Sequence, residues 1–273
     1  MESTGVKKLP KLILGFLLLV CAFIALFPFV YMGLLSLTQS QTLSLDLDLS
    51  HVNLVNYSRV FRNFNFIAYF RNSTIVTVCA CALNCIVASM AAYGFAKKKF
   101  PGREAIFAVF LATMMVPGQV TLIPVFSMMK KMNLLNTYLA LFLPICNAFG
   151  VFLIRQFMVS VPDELLEAAS LDGCGEIRRF VWIVLPLIKP VLISLTIFTF
   201  ISTWNDFLWP LVVCTDQSTQ TLTLGLSVLK GNYATNYGLV MAGSMLTFLP
   251  PFLLYILLQK QFVEGVALSG IKG

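Results

Sequence analysis

The chain has 273 residues, of which 58% are hydrophobic and 11% charged, with a mean hydropathy of +0.86. That balance excludes an ordinary soluble globule, in which roughly 25% of residues are charged. The formal charge of +7 gives no reason to expect nucleic acid, because the basic residues are spread along the edges of apolar runs, as flanks of membrane spans are.

A spanning helix needs about 20 mostly apolar residues, since 1.5 Å of rise per residue must cross about 30 Å of hydrocarbon. Six runs qualify, at about 12–35, 72–96, 105–129, 137–157, 181–203 and 240–260. None shows the alternation of a membrane barrel, so the backbone is satisfied within each segment. The predicted fold class is an all-α integral membrane protein with six transmembrane helices in one domain, 1–273. The first run follows Lys7, Lys8 and Lys11 but continues through Phe29, Tyr31 and Leu34 without a small-residue cleavage site, so it is expected to stay rather than act as a signal peptide. With the N-terminus inside, thirteen Lys and Arg fall on the inner side and six on the outer. Short inner loops hold the excess, which predicts cytoplasmic N- and C-termini.

After the first span comes the longest connection, 36–71, with Asn53, Tyr57, Arg59, Phe61, Phe64 and Phe66. Short helices lying on the membrane surface are expected there. His51 in this loop, beside Asp46 and Asp48, reads as a solvated side chain, and no metal site is predicted. Cys21, Cys79, Cys81, Cys85 and Cys146 lie in apolar runs without a CxxC pair or His cluster and read as small core residues. Ala88, Ser89, Ala91, Ala92 and Gly94 in the second span, and Ala242, Gly243 and Ser244 in the sixth, allow close helix approach within the subunit or against another. Pro117, Gly118 and Pro124 interrupt the third span. The interruption is either an inert kink or a broken helix lining a water-filled path, with Gln119 and Thr121 between the prolines.

The segment between spans four and five, about 160–186, opens with Ser160-Val-Pro-Asp-Glu-Leu-Leu-Glu-Ala-Ala-Ser-Leu-Asp-Gly173. It predicts a short cytoplasmic helix. Ser160 is placed to cap, Pro162 suits the first turn, Asp163 and Glu164 meet the positive end of the dipole, and Gly173 can take a left-handed stop. Leu165, Leu166, Ala168, Ala169 and Leu171 are more apolar surface than one solvated turn needs. Either the helix packs on its own span ends or a partner covers it.

Glu167-Ala168-Ala169, three residues, Gly173, nine residues, then Ile183-Val184-Leu185-Pro186, with Asp172 before the glycine and Pro190 beyond, resembles the EAA loop of permease subunits of bacterial ABC importers. Cys174 stands where alanine is usual. Pro117-Gly-Gln-Val-Thr-Leu-Ile-Pro124, Asn133-Leu-Leu-Asn-Thr137, Trp204-Asn-Asp-Phe-Leu-Trp-Pro210 and the tail from Phe262 to Gly273 resemble the MalG-like carbohydrate permeases, over essentially the whole chain. The resemblance implies a type I importer permease fold in the bacterial inner membrane and import of a sugar or oligosaccharide. It also implies a heterodimer with a second permease subunit, two ATP-binding cassette subunits and an extracytoplasmic solute-binding protein. Glu167, Ala168, Ala169, Asp172 and Gly173 would form the element that docks the ATPase.

No GxxxxGK[ST] loop occurs in the sequence, so ATP and Mg are expected on the partner subunits, and the chain is expected not to be an enzyme. Trp204 and Trp209 read either as part of an outer aromatic belt or, with Asn205 and Asp206 beside them, as part of the pathway, where flat rings beside hydrogen-bonding groups suit a sugar. The polar outer loop 212–238 resembles the one that in that family reaches toward the binding protein. Alternatives are import of another polar solute, an ion-coupled carrier or an intramembrane enzyme. The last two need midplane charges or paired ionisable groups in the spans, and neither is evident.

Overall fold

In hydrocarbon a backbone that does not bond to itself has no partner, and the chain answers with helices throughout. The computed structural model describes the backbone of residues 8–41, 52–232 and 236–270. His51, Asp46, Asp48 and the last three residues of the tail lie outside the described residues. Helices run over α1 Lys8–Ser36, α2 Val55–Asn63, α3 Phe66–Lys97, α4 Arg103–Ala112, α5 Gly118–Lys131, α6 Tyr138–Phe142 and α7 Ala148–Val159. They continue with α8 Asp163–Leu171, α9 Glu176–Arg179, α10 Leu185–Leu187, α11 Lys189–Trp204, α12 Leu208–Val213, α13 Leu222–Asn232 and α14 Tyr237–Gly270. Among the described residues there is no strand.

Three stretches are long and apolar enough to cross a membrane alone: Ile13–Ser36, Phe66–Lys97 and Tyr237–Lys260. The other three expected spans are bent pairs. Arg103–Met115 meets Gly118–Lys131 at 102°, Tyr138–Ile145 meets Ala148–Val159 at 46°, and Glu176–Leu187 meets Lys189–Trp204 at 77°. The first break falls where Val116 and Pro117 turn extended, as the proline pattern predicts, whereas Pro124 sits inside α5 without ending it. The second was not expected and follows Cys146, with Asn147 capping α7 by accepting from the Gly150 N–H at 3.2 Å. The third comes after a π turn over Phe180–Val184, a local widening and underwinding of the helix that often accompanies bends.

The chain forms two compact units. In one, Met1–Phe66 with Leu226–Phe248, the end of α1 is clasped by α2. Asn56 is fully buried and donates to the Ser36 and Thr38 carbonyls at 3.0 and 2.7 Å, and Ser36 Oγ shares a 2.8 Å hydrogen bond with the Tyr57 hydroxyl. Gly238 must be glycine here, because a Cβ would collide with the Thr38 carbonyl and Asn56 Nδ2. A Cβ on Gly243 would press within 3.0 Å of the Leu226 and Leu229 side chains. Cys21 departs from the expectation of a core residue and is exposed, since α1 presents its apolar side chains outward along most of its length.

The other unit, Ile67–Gly225 with Leu249–Gly273, holds the larger core. Ala88, Ala92, Val151, Ile154, Met158, Val184, Ile188, Val191 and Leu195 pack α3 and α7 against the segment from the π turn into α11. Small residues make the approach possible. A Cβ at Gly150 would stand 3.3 Å from Ala88 Cβ, Asn84 Oδ1 and Leu195 Cδ1 at once. Ala88 and Ala92 therefore serve packing inside the subunit, while a Cβ at Gly94 would meet open space.

Candidate functional site

The short helix expected between spans four and five is α8, and its two ends are built differently from each other. Pro162, in an extended conformation, occupies the cap position before Asp163. Ser160 does not cap: it lies two residues too early, and its hydroxyl donates to the Phe157 carbonyl of α7 at 2.7 Å. Asp163 and Glu164 fill the first turn, where the helix dipole favours negative charge.

At the other end Gly173 takes φ +75°. Its N–H donates to the Ser170 carbonyl at 3.0 Å and that of Cys174 to the Ala169 carbonyl at 2.9 Å. These paired bonds form a Schellman stop, which needs a left-handed residue after the cap. Asp172 is that cap.

α8 divides its apolar residues between two environments. Leu166 is 8% exposed and joins the core with Val161. Leu165 and Leu171 face outward, Leu171 at 90% exposure, and Ile177 just beyond is 80% exposed. Glu167 and Ala168 are exposed on the same helix, and Ala169 is half-buried. Packing on its own spans thus accounts for Leu166 alone, and an apolar surface with one carboxylate is left uncovered.

The sequence reading missed how this loop is held. Lys97 at the end of α3 is only 4% exposed in its side chain. Its ammonium donates to the Val161 carbonyl at 2.5 Å and to Asp163 Oδ1 at 2.7 Å. On the far side of α8, Glu176 accepts from the Tyr93 hydroxyl at 2.5 Å, pairs with Lys98, and accepts from Arg179 at 2.7 Å. Arg179 also donates to the Leu166 carbonyl at 3.4 Å. Beside Lys97, the Asp163 carboxyl is held below its ordinary 3.8, first by the hydrogen bond and then by the charge. The Lys97-Lys98-Lys99 run was read only for topology; the signal available was that these cations and the acids of the loop fall on the same side of the membrane.

The opposite end of α3 is clasped too. Asn72 is buried and donates to the Ser218 and Gln220 carbonyls at 2.8 and 2.9 Å while accepting from the Tyr138 hydroxyl at 2.7 Å. Ser73 Oγ accepts from the Leu222 N–H at 2.7 Å. Asn136, at φ +59°, accepts from the backbone N–H groups of Thr215 and Asp216 at 2.7 and 2.9 Å. The other left-handed asparagine, Asn133 at φ +55°, makes the same Schellman stop for α5 that Gly173 makes for α8, since asparagine tolerates this region better than other side chains do.

Of the predicted pathway residues, Gln119, Thr121 and Asp206 line one cavity of about 340 Å3 with Trp209 and Pro144. Trp209 is held by its indole N–H on the Ala140 carbonyl at 2.8 Å, and its backbone N–H donates to Asp206 Oδ1 at 3.3 Å. Trp204 does not line this cavity. It is 2% exposed, stacked on Phe200 with centroids 5.5 Å apart and edge-on to Phe70 at 5.7 Å, which makes it a core residue rather than a belt residue. Asn205 also lies outside it, with its carboxamide donating to the Ile201 carbonyl at 2.9 Å as α11 ends. A second cavity, about 280 Å3, is lined by Asn84, Asn147, Phe149, Phe198, Thr199 and Ser202. Asn84 there is buried and donates to Thr199 Oγ1 at 2.9 Å; nothing in the periodicity of the second span singled it out.

Among known proteins, the chain is 36% identical over 259 residues to the arabinooligosaccharides transport system permease protein of Halalkalibacterium halodurans, covering 92% of this chain and 93% of the relative. It is 34% identical over 268 residues to the lactose transport system permease protein of Rhizobium radiobacter, covering 97% and 98%. A solved bacterial ABC transporter involved in the import of the acidic polysaccharide alginate contains a chain that superposes with a TM-score of 0.84 at 24% identity, over 96% of this chain and 99% of that one. That likeness is one of fold. The family model described as binding-protein-dependent transport system inner membrane component matches residues 85–267, and the chain belongs to that family, as a permease subunit and not an enzyme.

Proposed function

We propose that this chain is one half of the membrane pore of an importer for a sugar or oligosaccharide, driven by ATP hydrolysed on partner subunits. The observation that carries the reading is α8, a nine-residue helix with a fixed stop at Gly173 and an uncovered surface of Leu165, Glu167, Ala168 and Leu171. A rigid, capped helix with exposed leucines is a ready-made surface for another protein, and each leucine gains about 1.5–3 kcal/mol on full burial. Two ATP-binding cassette subunits, a second permease subunit in a heterodimer and an extracytoplasmic solute-binding protein complete the assembly, with ATP and Mg held by the cassettes. Glu167, Ala168, Ala169, Asp172 and Gly173 form the docking element.

Both termini lie in the cytoplasm of a bacterial cell, each bent helix pair counts as one of six spans, and the clasped loop at 214–221 faces outward toward the binding protein. The cavity of Gln119, Thr121 and Asp206 lies on the solute pathway. The sugar assignment draws its support from the sugars for which the two relatives are named and from the aromatic and amide chemistry of the cavities. The test is uptake of labelled arabinooligosaccharide and lactose into vesicles carrying the full transporter with its binding protein. ATP-dependent uptake of either, abolished by Glu167→Lys while the chain stays in the membrane, is the expected outcome. Wild-type uptake in Glu167→Lys would overturn the docking assignment, and uptake of neither sugar would overturn the substrate class.

A further inference from the structure

The loop bearing α8 is tied to α3 at two places, and these ties do not belong to the docking surface. Val161 and Asp163, at the start of α8, are both held by the Lys97 ammonium. Glu176, beyond its end, is held by Tyr93, one turn of α3 before Lys97, and by Lys98, the residue that follows α3. Arg179 closes the bracket by joining Glu176 to the Leu166 carbonyl. Lys97 is nearly inaccessible, and a buried ammonium that loses its partner carries a penalty of several kcal/mol. The Lys97 tie, with its buried ammonium on a backbone carbonyl as well as a carboxylate, therefore resists separation more than a surface ion pair does, whose worth is about 0–1 kcal/mol, and the partly exposed Lys98–Glu176 pair adds to it through the Tyr93 hydrogen bond.

The other end of α3 is tied just as closely to the loop at 214–221 through Asn72 and Ser73. From Asn72 to Lys97 is 25 residues of one helix, about 37 Å at 1.5 Å per residue, which exceeds the roughly 30 Å of hydrocarbon. A helix of that length bonded internally is stiff on this scale, so movement of one end moves the other.

Resting on the docking reading above, we propose that Lys97 and Glu176 are positioning residues that lock the docking helix to α3, so that α8, α3 and the loop at 214–221 shift as one body. Displacement of α8 by the ATPase then reaches the far face through α3, not only through the covalently adjoining α7 and α9. The alternative is that these pairs merely hold α8 in shape.

The experiment uses the assembled transporter in vesicles, with Lys97→Met, Lys97→Arg and Glu176→Gln. It reads three quantities: the ATPase subunit recovered per permease, the ATP hydrolysed, and the solute taken up per ATP. The expected result is wild-type recovery of the ATPase in all three, with uptake per ATP at least fivefold lower in Lys97→Met and Glu176→Gln. Lys97→Arg, which keeps donors for both the carbonyl and the carboxylate, stays within twofold of wild type. Unchanged uptake per ATP in Lys97→Met and Glu176→Gln would overturn the proposal. So would loss of the ATPase subunit from both, which is the mark of a purely structural role, or an uncoupled Lys97→Arg. An ATPase that fails to accompany even the wild-type chain would instead overturn the docking reading itself, and this proposal with it.

Discussion

Gly173 and Asn136 show what single residues decide. At Gly173 a side chain must adopt φ +75°, which costs about 1–2 kcal/mol for an L-residue, more for a β-branched one. Gly173→Val should therefore fray the last turn of α8, lowering uptake per ATP while ATPase activity of the partner persists; co-assayed hydrolysis and uptake check this. Asn136 combines a left-handed backbone with three acceptor contacts to Thr215 and Asp216. Asn136→Gly relieves the backbone but loses the contacts, each worth about 1 kcal/mol net, and Asn136→Ala loses both. Limited proteolysis should cut near 214–221 faster in both variants, and faster in the alanine variant than in the glycine one. Asp163 adds a pH term. Its folded carboxyl is lowered by Lys97, so it contributes stability above the ordinary 3.8 that is lost as pH falls through its lower folded value. Because the side chain is 72% exposed, solvent screens the effect and it is small. Thermal melts in detergent should show a shallower acid loss in Asp163→Asn than in wild type.

At the scale of elements, the α8 stop was legible because one glycine after a run of good helix formers leaves few other conformations. The start was misread, since a serine before a proline looks like a cap by type, and only the structure shows it turned back onto Phe157. The break of the third span was legible for the same kind of reason, as proline cannot donate and disfavours a helical residue before it. The bends at Asn147 and after Ile188 were not, because hydropathy measures apolar length and is blind to direction. The ties of Lys97 and Glu176 were illegible as contacts, being 64 to 83 residues apart in sequence. Leu166 is the element-scale test. Leu166→Ala should cost about 2–5 kcal/mol as a core truncation, whereas Leu171→Ala, on the exposed side, should leave the melting temperature of the isolated chain unchanged and weaken only ATPase capture.

For the whole molecule, composition alone settles that lipid is the solvent, and the spacing of apolar runs fixes how many crossings the chain has material for. Side is inferred from the excess of Lys and Arg alone; the structure places the two clasped loops at opposite ends of α3, about 37 Å apart by helix rise. Single cysteines at Ser218 and Glu164, in a background without the natural seven, should react on opposite sides of intact cells. Residue 218 is expected to label with a membrane-impermeant maleimide and residue 164 only after permeabilisation; the reverse pattern would invert the topology. The division of α8 into a buried Leu166 and an uncovered Leu171 then becomes a statement about assembly. One side of the helix belongs to the fold, and the other is the surface that the proposed function assigns to an ATP-hydrolysing partner.

That claim has a direct measurement: a photo-cross-linking side chain placed at Leu171 in the full transporter, irradiated in the membrane, with the adduct identified by mass spectrometry. The account predicts a single dominant adduct with a subunit carrying an ATP-binding loop, its yield lowered by Glu167→Lys. An adduct confined to this chain's own spans, or formed with the solute-binding protein, would contradict it.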